Sequence, residues 1–373
     1  MVQVPFDAVR TWMFEAALPF WAERGVDAEH GGFFEELSAD GAPTACDFKR
    51  LRVICRQAYV FSHAALLGWP KGEPLSQLGF EYMRERARLP DGGWARRLAR
   101  DGRIIDAAPE LYDLAFVIFA AAWRYRLSRE PEARASAIET LAFVRERMTA
   151  PGGGFWRALP ASGERAQNPH MHLTEACLAA FEATGEAQFL DAARELVSLF
   201  ATRFFDGATL GERFDDDWAR TSAVLEPGHH FEWVWILAQY QRLSGDDVTP
   251  LAQAAAAFAE RHGVEPESGA VYDAIAADGA PLRRSSRIWT NTERIKAALG
   301  LFELTGADPR PVLASSLRLI FQRYFAGQIP GLWIDQFDGD GAPIDAPVPA
   351  SCVYHLFLAF SEVLRLEDRI RAL

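Results

Sequence analysis

Cysteine is scarce in this 373-residue chain. The four that occur, Cys46, Cys55, Cys177 and Cys352, are far apart, and the last three fall in apolar helical patterns. That spacing argues against a disulfide framework or a cysteine-based metal site and predicts reduced, buried thiols. Positive charge is short as well: 39 Lys and Arg face 51 Asp and Glu, for a net charge of -12. So acidic a chain is poorly suited to nucleic acid or to an anionic membrane surface. No apolar run approaches the ~18 residues of a membrane span. The N-terminal stretch carries Asp7 and Glu15 inside its apolar pattern and lacks the basic start and small-residue cleavage site of an export signal. It reads as an amphipathic helix, and the expected location is the cytoplasm. His-Glu-x-x-His is missing, and GGGFWRA at Gly152 lacks the Lys-Ser/Thr of a phosphate loop.

What the chain has in quantity is repetition. A Gly-aromatic signature recurs as GGFFEEL at Gly31, GGWARR at Gly92, GGGFWRA at Gly152, LGERFDDD at Gly211, SGAVYDA at Gly269 and PGLWIDQF at Gly331. Successive copies start 58 to 62 residues apart. Most are followed by a turn signal such as ADGAP or RDGR, which predicts short β-hairpins. Between them, apolar residues at three- and four-residue spacing predict helices over 6–24, 50–68, 74–88, 109–127, 131–148, 170–184, 187–204, 228–244, 249–262, 287–304, 308–325 and 350–366. The helix after each hairpin is richly apolar, as an inner ring would be, and its partner carries more Arg and Glu. Neither terminal helix is unusually polar, as the caps of an open solenoid would be. The expected fold is therefore all-α: an (α/α)6 barrel of twelve helices with β-hairpins on one rim, as a single domain over 1–373.

If the hairpins share a rim, the first turns of the inner helices converge on one mouth. Those turns supply Arg56, Asp113, His172 with Glu175, His229 with Glu232, Trp289 with Glu293, and His355. A bland core would place Leu, Val or Phe in most of these positions. His229 and Glu232 stand three residues apart, so they share one face of a helix opened by Pro227 and Gly228. Each residue has a structural alternative. Asp113 can serve as a local cap, and Trp289 and Glu293 can be core and surface. His170 and His230, one helical step away, are expected to be structural, as are His30, His63 and His262. The two His-x-x-Glu pairs invite a metal reading, but their order reverses the Glu-x-x-His of carboxylate-bridged metal bundles, and Arg56 would repel a cation. No metal or other cofactor is expected. Arg283, Arg284 and Arg287 are either a solvated loop or a phosphate contact.

At these residues the chain resembles the N-acylglucosamine 2-epimerase superfamily, which includes mannose isomerases and cellobiose 2-epimerases. KRLRVICRQAYVFS, LYDLAFV, NPHMHLTEA, EPGHHFEWVW, RIWTNTERIKA and PASCVYHLF carry the resemblance across essentially the whole chain. It implies the same barrel and proton abstraction beside a sugar carbonyl through a cis-enediol. It implies His355 as base at carbon 2, His229 as ring-opening acid/base, and Arg56 as oxyanion partner. Substrate binding then falls to His172, Glu175, Glu232, Trp289, Glu293, Asp113 and Trp235. The expected function is mannose–fructose isomerisation on the free sugar. The alternatives are a 2-epimerase of N-acylglucosamine or another aldose, a mannose-6-phosphate isomerase and, more distantly, a glycoside hydrolase on the same barrel. The expected partner is a monosaccharide, with no nucleic acid and no membrane; a homodimer is compatible with the sequence.

Overall fold

A computed structural model describes residues 3–161, 163–327 and 329–373. Six helices form an inner ring: Leu51–Leu66, Leu111–Ser128, Gln167–Thr184, Pro227–Ser244, Ile288–Thr305 and Cys352–Arg365. Each packs on the next, and the last returns to the first. They are buried nearly all round, as helices without a polar face must be. Outside them stand Gly72–Arg86, Pro131–Arg147, Ala187–Leu199, Thr249–His262, Arg310–Leu319 and a first helix running through Phe6–Thr11, Trp12–Ala17 and Leu18–Arg24. These bury one stripe and turn charge to solvent. The first, fourth and sixth outer helices each include a π-helical stretch, at Trp12–Ala17, Phe200–Phe204 and Ile320–Tyr324.

The expected twelve helices and barrel are therefore present, with two refinements. The third inner helix starts at Gln167, ahead of the expected 170, because Pro169 sits in a first turn where no amide donor is needed. A short helix, Glu367–Arg371, follows the last one. Among the described residues no helix is long and apolar enough to cross a membrane. All four cysteines are free, with Cys46 half-buried and the other three buried.

The rim carries short local hairpins, as expected, and is also stitched from repeat to repeat. Among the described residues Arg97–Ala99 pairs locally with Ile104–Asp106 and Ala274–Ile275 with Pro281–Arg283, and single bridges join Leu37 to Pro43, Phe214 to Arg220 and Phe337 to Pro343. Between repeats, backbone one or two residues ahead of an inner helix pairs antiparallel with the following repeat: Arg50 with Arg97, Glu110 with Ala158, Ala166 with Arg213, Leu225 with Ile275, and Arg287 with Gln336. Pro349 then pairs with Glu36 of the first repeat, closing the circle. Extended backbone entering a helix has unpaired polar groups on its flank, and the neighbouring repeat satisfies them.

A side chain from the fourth residue of three inner helices reinforces this stitching. His170 Nε2 accepts from the Phe155 amide at 2.9 Å, His230 Nε2 from Leu210 at 3.0 Å, and Asn291 Oδ1 from Val271 at 3.0 Å. The aromatic or apolar residue of the repeat signature is thus fastened to the helix it precedes. His170 and His230 have the structural role expected of them, and burial pulls both down to about 4, so they stay neutral.

Asp27 ties the first repeat to the second: Lys49 Nζ lies 3.0 Å from Oδ2 and Arg100 Nε 3.0 Å from the same oxygen. Burial works against the charge, but Arg100 and Lys49 outweigh it and hold the carboxyl at about 2. Asp27→Asn leaves Lys49 buried without its counter-charge, so it is expected to cost about 3–5 kcal/mol in urea unfolding. The Asp27 contribution is complete above an unfolded carboxylate value of ~4 and is lost as pH falls toward the folded value. Acid unfolding of the variant should accordingly show a weaker pH dependence over that interval.

Candidate active site

Where the inner helices begin, a cavity of about 350 Å³ opens on the rim. Six of the expected residues line it: Arg56, His172, His229, Glu232, Trp289 and His355. They come from five of the six inner helices, so the convergence expected from the repeats is realised. Trp289 stands between the two outer histidines, its ring centre 5.4 Å from that of His229 and 5.5 Å from that of His355.

His229 projects from the first turn of its helix. Its Nδ1 lies 2.9 Å from Glu212 Oε2, and its Nε2 lies 2.9 Å from the Asn168 side-chain amide nitrogen. Burial disfavours the imidazolium, but Glu212, Glu226 and Glu232 outweigh that effect and raise His229 to about 9. The charged ring donates at both nitrogens, and a half-turn of the Asn168 amide presents the oxygen it requires. Glu212 is itself oriented by Gln167 Nε2 at 2.9 Å.

His355 is opposite in character. Burial, then Arg56 and Lys296, push it well below its ordinary value, so it is a neutral imidazole. Its Nδ1 lies 2.8 Å from Glu293 Oε1, and Glu293 Oε2 is 2.7 Å from Lys296 Nζ. With Nδ1–H donating to the carboxylate, Nε2 is left as the basic nitrogen.

Arg56 has no carboxylate within ion-pair distance among the described residues. Its guanidinium donates to Tyr112 Oη at 2.7 Å and to the Ser351 carbonyl at 3.3 Å, over the Phe116 ring. The other arginines of the cavity are neutralised: Arg50 by Glu35, Arg52 by Glu110 and Asp113, and Arg287 by Asp273 and Glu226. Arg56 is thus the cation there with charge to spare.

Four expected binding residues do not line the cavity, and helix register explains each. Asp113 turns sideways to Arg52, 2.8 Å away at Nε. Glu175 and Glu293 lie one layer beneath. Glu175 accepts from Tyr354 Oη at 2.5 Å and pairs with His172 Nδ1 at 3.2 Å, while Glu293 supports His355. Trp235 points toward the far end of the barrel and donates to Glu362 at 2.9 Å. Arg287 reaches the cavity, whereas Arg283 is exposed and Arg284 lies in a separate surface groove. The residues missed are Glu212, Asn168, Lys296 and Tyr354. Lys296 was legible as a three-residue partner of Glu293; Glu212 belongs to a hairpin and carries no such signal.

Among the described residues three clusters have metal-ligand geometry: His172–Glu175–Glu232, Glu212–Glu226–His229 and Glu232–Glu293–His355. They fit an ion poorly. Lys296, raised despite burial by Glu293, Glu232 and Glu175, already supplies the positive charge beside two of them, and His229 is protonated in the third.

A helical barrel with imidazoles and an unneutralised arginine gathered at one rim holds the acid, base and oxyanion partner that a sugar isomerase or epimerase needs. The chain belongs to the N-acylglucosamine 2-epimerase family, whose model matches residues 32–359. It is 34% identical to a mannose-6-phosphate isomerase of Rhizobium meliloti (strain 1021), over 96% of both chains. It is 29% identical to a D-mannose isomerase of Thermobifida fusca, over 94% of this chain and 93% of that one. Its fold matches the cellobiose 2-epimerase structure from Spirochaeta thermophila DSM 6192 with a TM-score of 0.87 at 23% identity, over 98% and 97%.

Gly228 makes the approach of Trp289 possible, since a Cβ there would fall 2.6 Å from the indole. Gly228→Ala is expected to cost about 1–3 kcal/mol and to displace Trp289, checked by thermal melting and a crystal structure. Glu212→Gln removes the largest support for the His229 charge. Its imidazole titration, followed by NMR, is expected to move down from about 9.

Proposed function

We propose that this protein interconverts mannose and fructose as free sugars, moving a proton from carbon 2 to carbon 1 through a cis-enediol. The observation that carries this reading is the pair of imidazoles at the rim, one neutral and one protonated, in a chain whose 34% and 29% identical relatives are named as isomerases. A two-base epimerase would use the same pair, with a free base on one face of carbon 2 and a proton donor on the other. An isomerase needs one base beside carbons 1 and 2 and an acid at the oxygen. Here His355 is neutral, with Nε2 available, whereas His229 holds its proton.

His229, its Nε2–H passing from Asn168 to the ring oxygen, opens the sugar as the O1 hydroxyl gives its proton to water. His355 then takes the proton at carbon 2 and returns it at carbon 1 while the O2 hydroxyl proton passes to O1, and Arg56 stabilises the oxyanion, an effect of roughly 3–4 kcal/mol in comparable sites. The N-termini of the inner helices point at this rim and favour the same negative charge. Trp289 offers its face to the sugar, and His172 and Glu232 hold hydroxyls. Glu293 and Glu175, from beneath, orient His355 and His172.

A second reading has one observation in its favour. A cavity of about 280 Å³ adjoins the first through His229, Asn168, Tyr112, Arg52 and Glu226. Arg157 lines it, with a buried Nε lacking a partner and no carboxylate within ion-pair distance among the described residues. That arginine would suit a 6-phosphate, the substrate in the name of the 34% identical relative.

In deuterated water, mannose is expected to give fructose carrying deuterium at carbon 1 wherever the abstracted proton exchanges. Glucose labelled at carbon 2 would instead identify a 2-epimerase, and no turnover of mannose would sink this reading. His355→Gln should lower kcat by about 10²–10⁴ with little change in KM. Because the acid form of His229 is needed, kcat/KM should fall as pH rises through about 9. Arg157→Ala should leave mannose turnover unaltered under the first reading and selectively impair mannose 6-phosphate under the second.

A further inference from the structure

The opposite end of the ring, where the inner helices finish, holds a cavity of about 230 Å³. Phe119, Trp123 and Trp235 give it apolar walls, Gln239 and His63 give it polar edges, and Glu175 forms part of its floor. The layer containing Glu175 and Tyr354 separates it from the rim cavity.

Its charges answer one another. Arg126 and Arg242 share Glu182, at 3.0 and 2.9 Å. Arg365 is 2.7 Å from both Glu303 and Glu362. Glu175 is held by Tyr354 and His172. His63 is drawn down to about 3 by burial and by Arg126, and it stays uncharged.

Two donors remain unanswered. Trp123 Nε1 and Gln239 Nε2 are buried with no hydrogen-bond partner among the described residues. Gln239 is only 8% exposed, and its amide cannot be turned over without loss because Oε1 accepts from Arg242 Nε at 3.0 Å. A buried donor without an acceptor costs about 1–3 kcal/mol, so acceptor atoms placed here would relieve two such penalties. Aromatic faces beside fixed donors, with every formal charge matched, suit a molecule that has apolar ring or chain faces and many oxygens but no charge.

We propose that this cavity binds a small neutral polyhydroxylated ligand, a monosaccharide or polyol, which stacks on the tryptophans and accepts hydrogen bonds from Trp123 and Gln239. The site is separate from the rim cavity and does not depend on the reaction assigned there. Glu175 touches both, since it pairs with the His172 that faces the rim cavity.

The test uses the full chain with D-mannitol, which has no carbonyl and cannot react, in crystal soaks and calorimetric titration. Mannitol should occupy the far cavity in the wild type and in Trp289→Ala, where the rim cavity is altered. Gln239→Leu, which removes the donor at similar volume, should weaken that binding about tenfold. Ala179→Leu, which fills the cavity from its wall, should abolish it. Both variants should retain mannose turnover and a melting temperature close to the wild type, which separates loss of binding from loss of fold. Mannitol found only at the rim, or bound equally well by Gln239→Leu and Ala179→Leu, would overturn the proposal.

Discussion

Everything at the rim depends on a backbone constraint: the chain just ahead of each inner helix is held antiparallel to the repeat that follows it. The first turn of each helix is thereby clamped in height and rotation relative to its neighbour. A side chain at the second to sixth position of the helix inherits that precision, because nothing flexible intervenes. His170, His230 and Asn291 add a second clamp by tying the repeat signature to the helix itself. Reactive groups from distant parts of the chain are therefore gathered without any of them sitting on a free loop. Glu212 comes from the hairpin and Asn168 from the very start of a helix, and they bind each side of His229.

Below this rim lies a dense layer of charge. Glu175, Glu232 and Glu293 are buried around Lys296, with the Tyr354 hydroxyl on Glu175. Isolated, any of these would be prohibitively costly to bury; together they offset one another and set the electrostatics above them. Burial, Arg56 and the lysine keep one histidine uncharged, while Glu212 and Glu226 outweigh burial and keep the other charged. Two identical residue types thus acquire opposite roles from their surroundings, without any difference in their own chemistry.

The architecture was legible because six repeats of near-constant length carry the same alternation of glycine-rich turn and apolar helix. Pairing between repeats was not, because two- and three-residue strands look alike whether they pair locally or with a neighbour. The candidate residues were found by position in the repeat, and that method reaches only as far as helix phase can be guessed. Arg56, His172, His229, Glu232, Trp289 and His355 face the cavity. Asp113, Glu175 and Glu293 occupy similar positions, but helix phase turns them sideways or beneath, and Trp235, implied by the family resemblance, lies nearly a turn deeper than Glu232. Glu212 escaped notice because its contact with His229 spans a hairpin that no periodicity describes. Lys296 reads as an ordinary ion-pair partner until the carboxylates from two other helices are seen around it.

The pairing of Glu36 with Pro349 joins the first repeat to the last. Open arrays of helical repeats lose structure gradually, fraying inward from whichever end is weaker. A closed circle has no weaker end to begin from, since detaching any one member breaks two junctions and uncovers the polar layer to water. Loss of structure is then collective, and the molecule is either whole, with its sugar pocket assembled, or not folded at all.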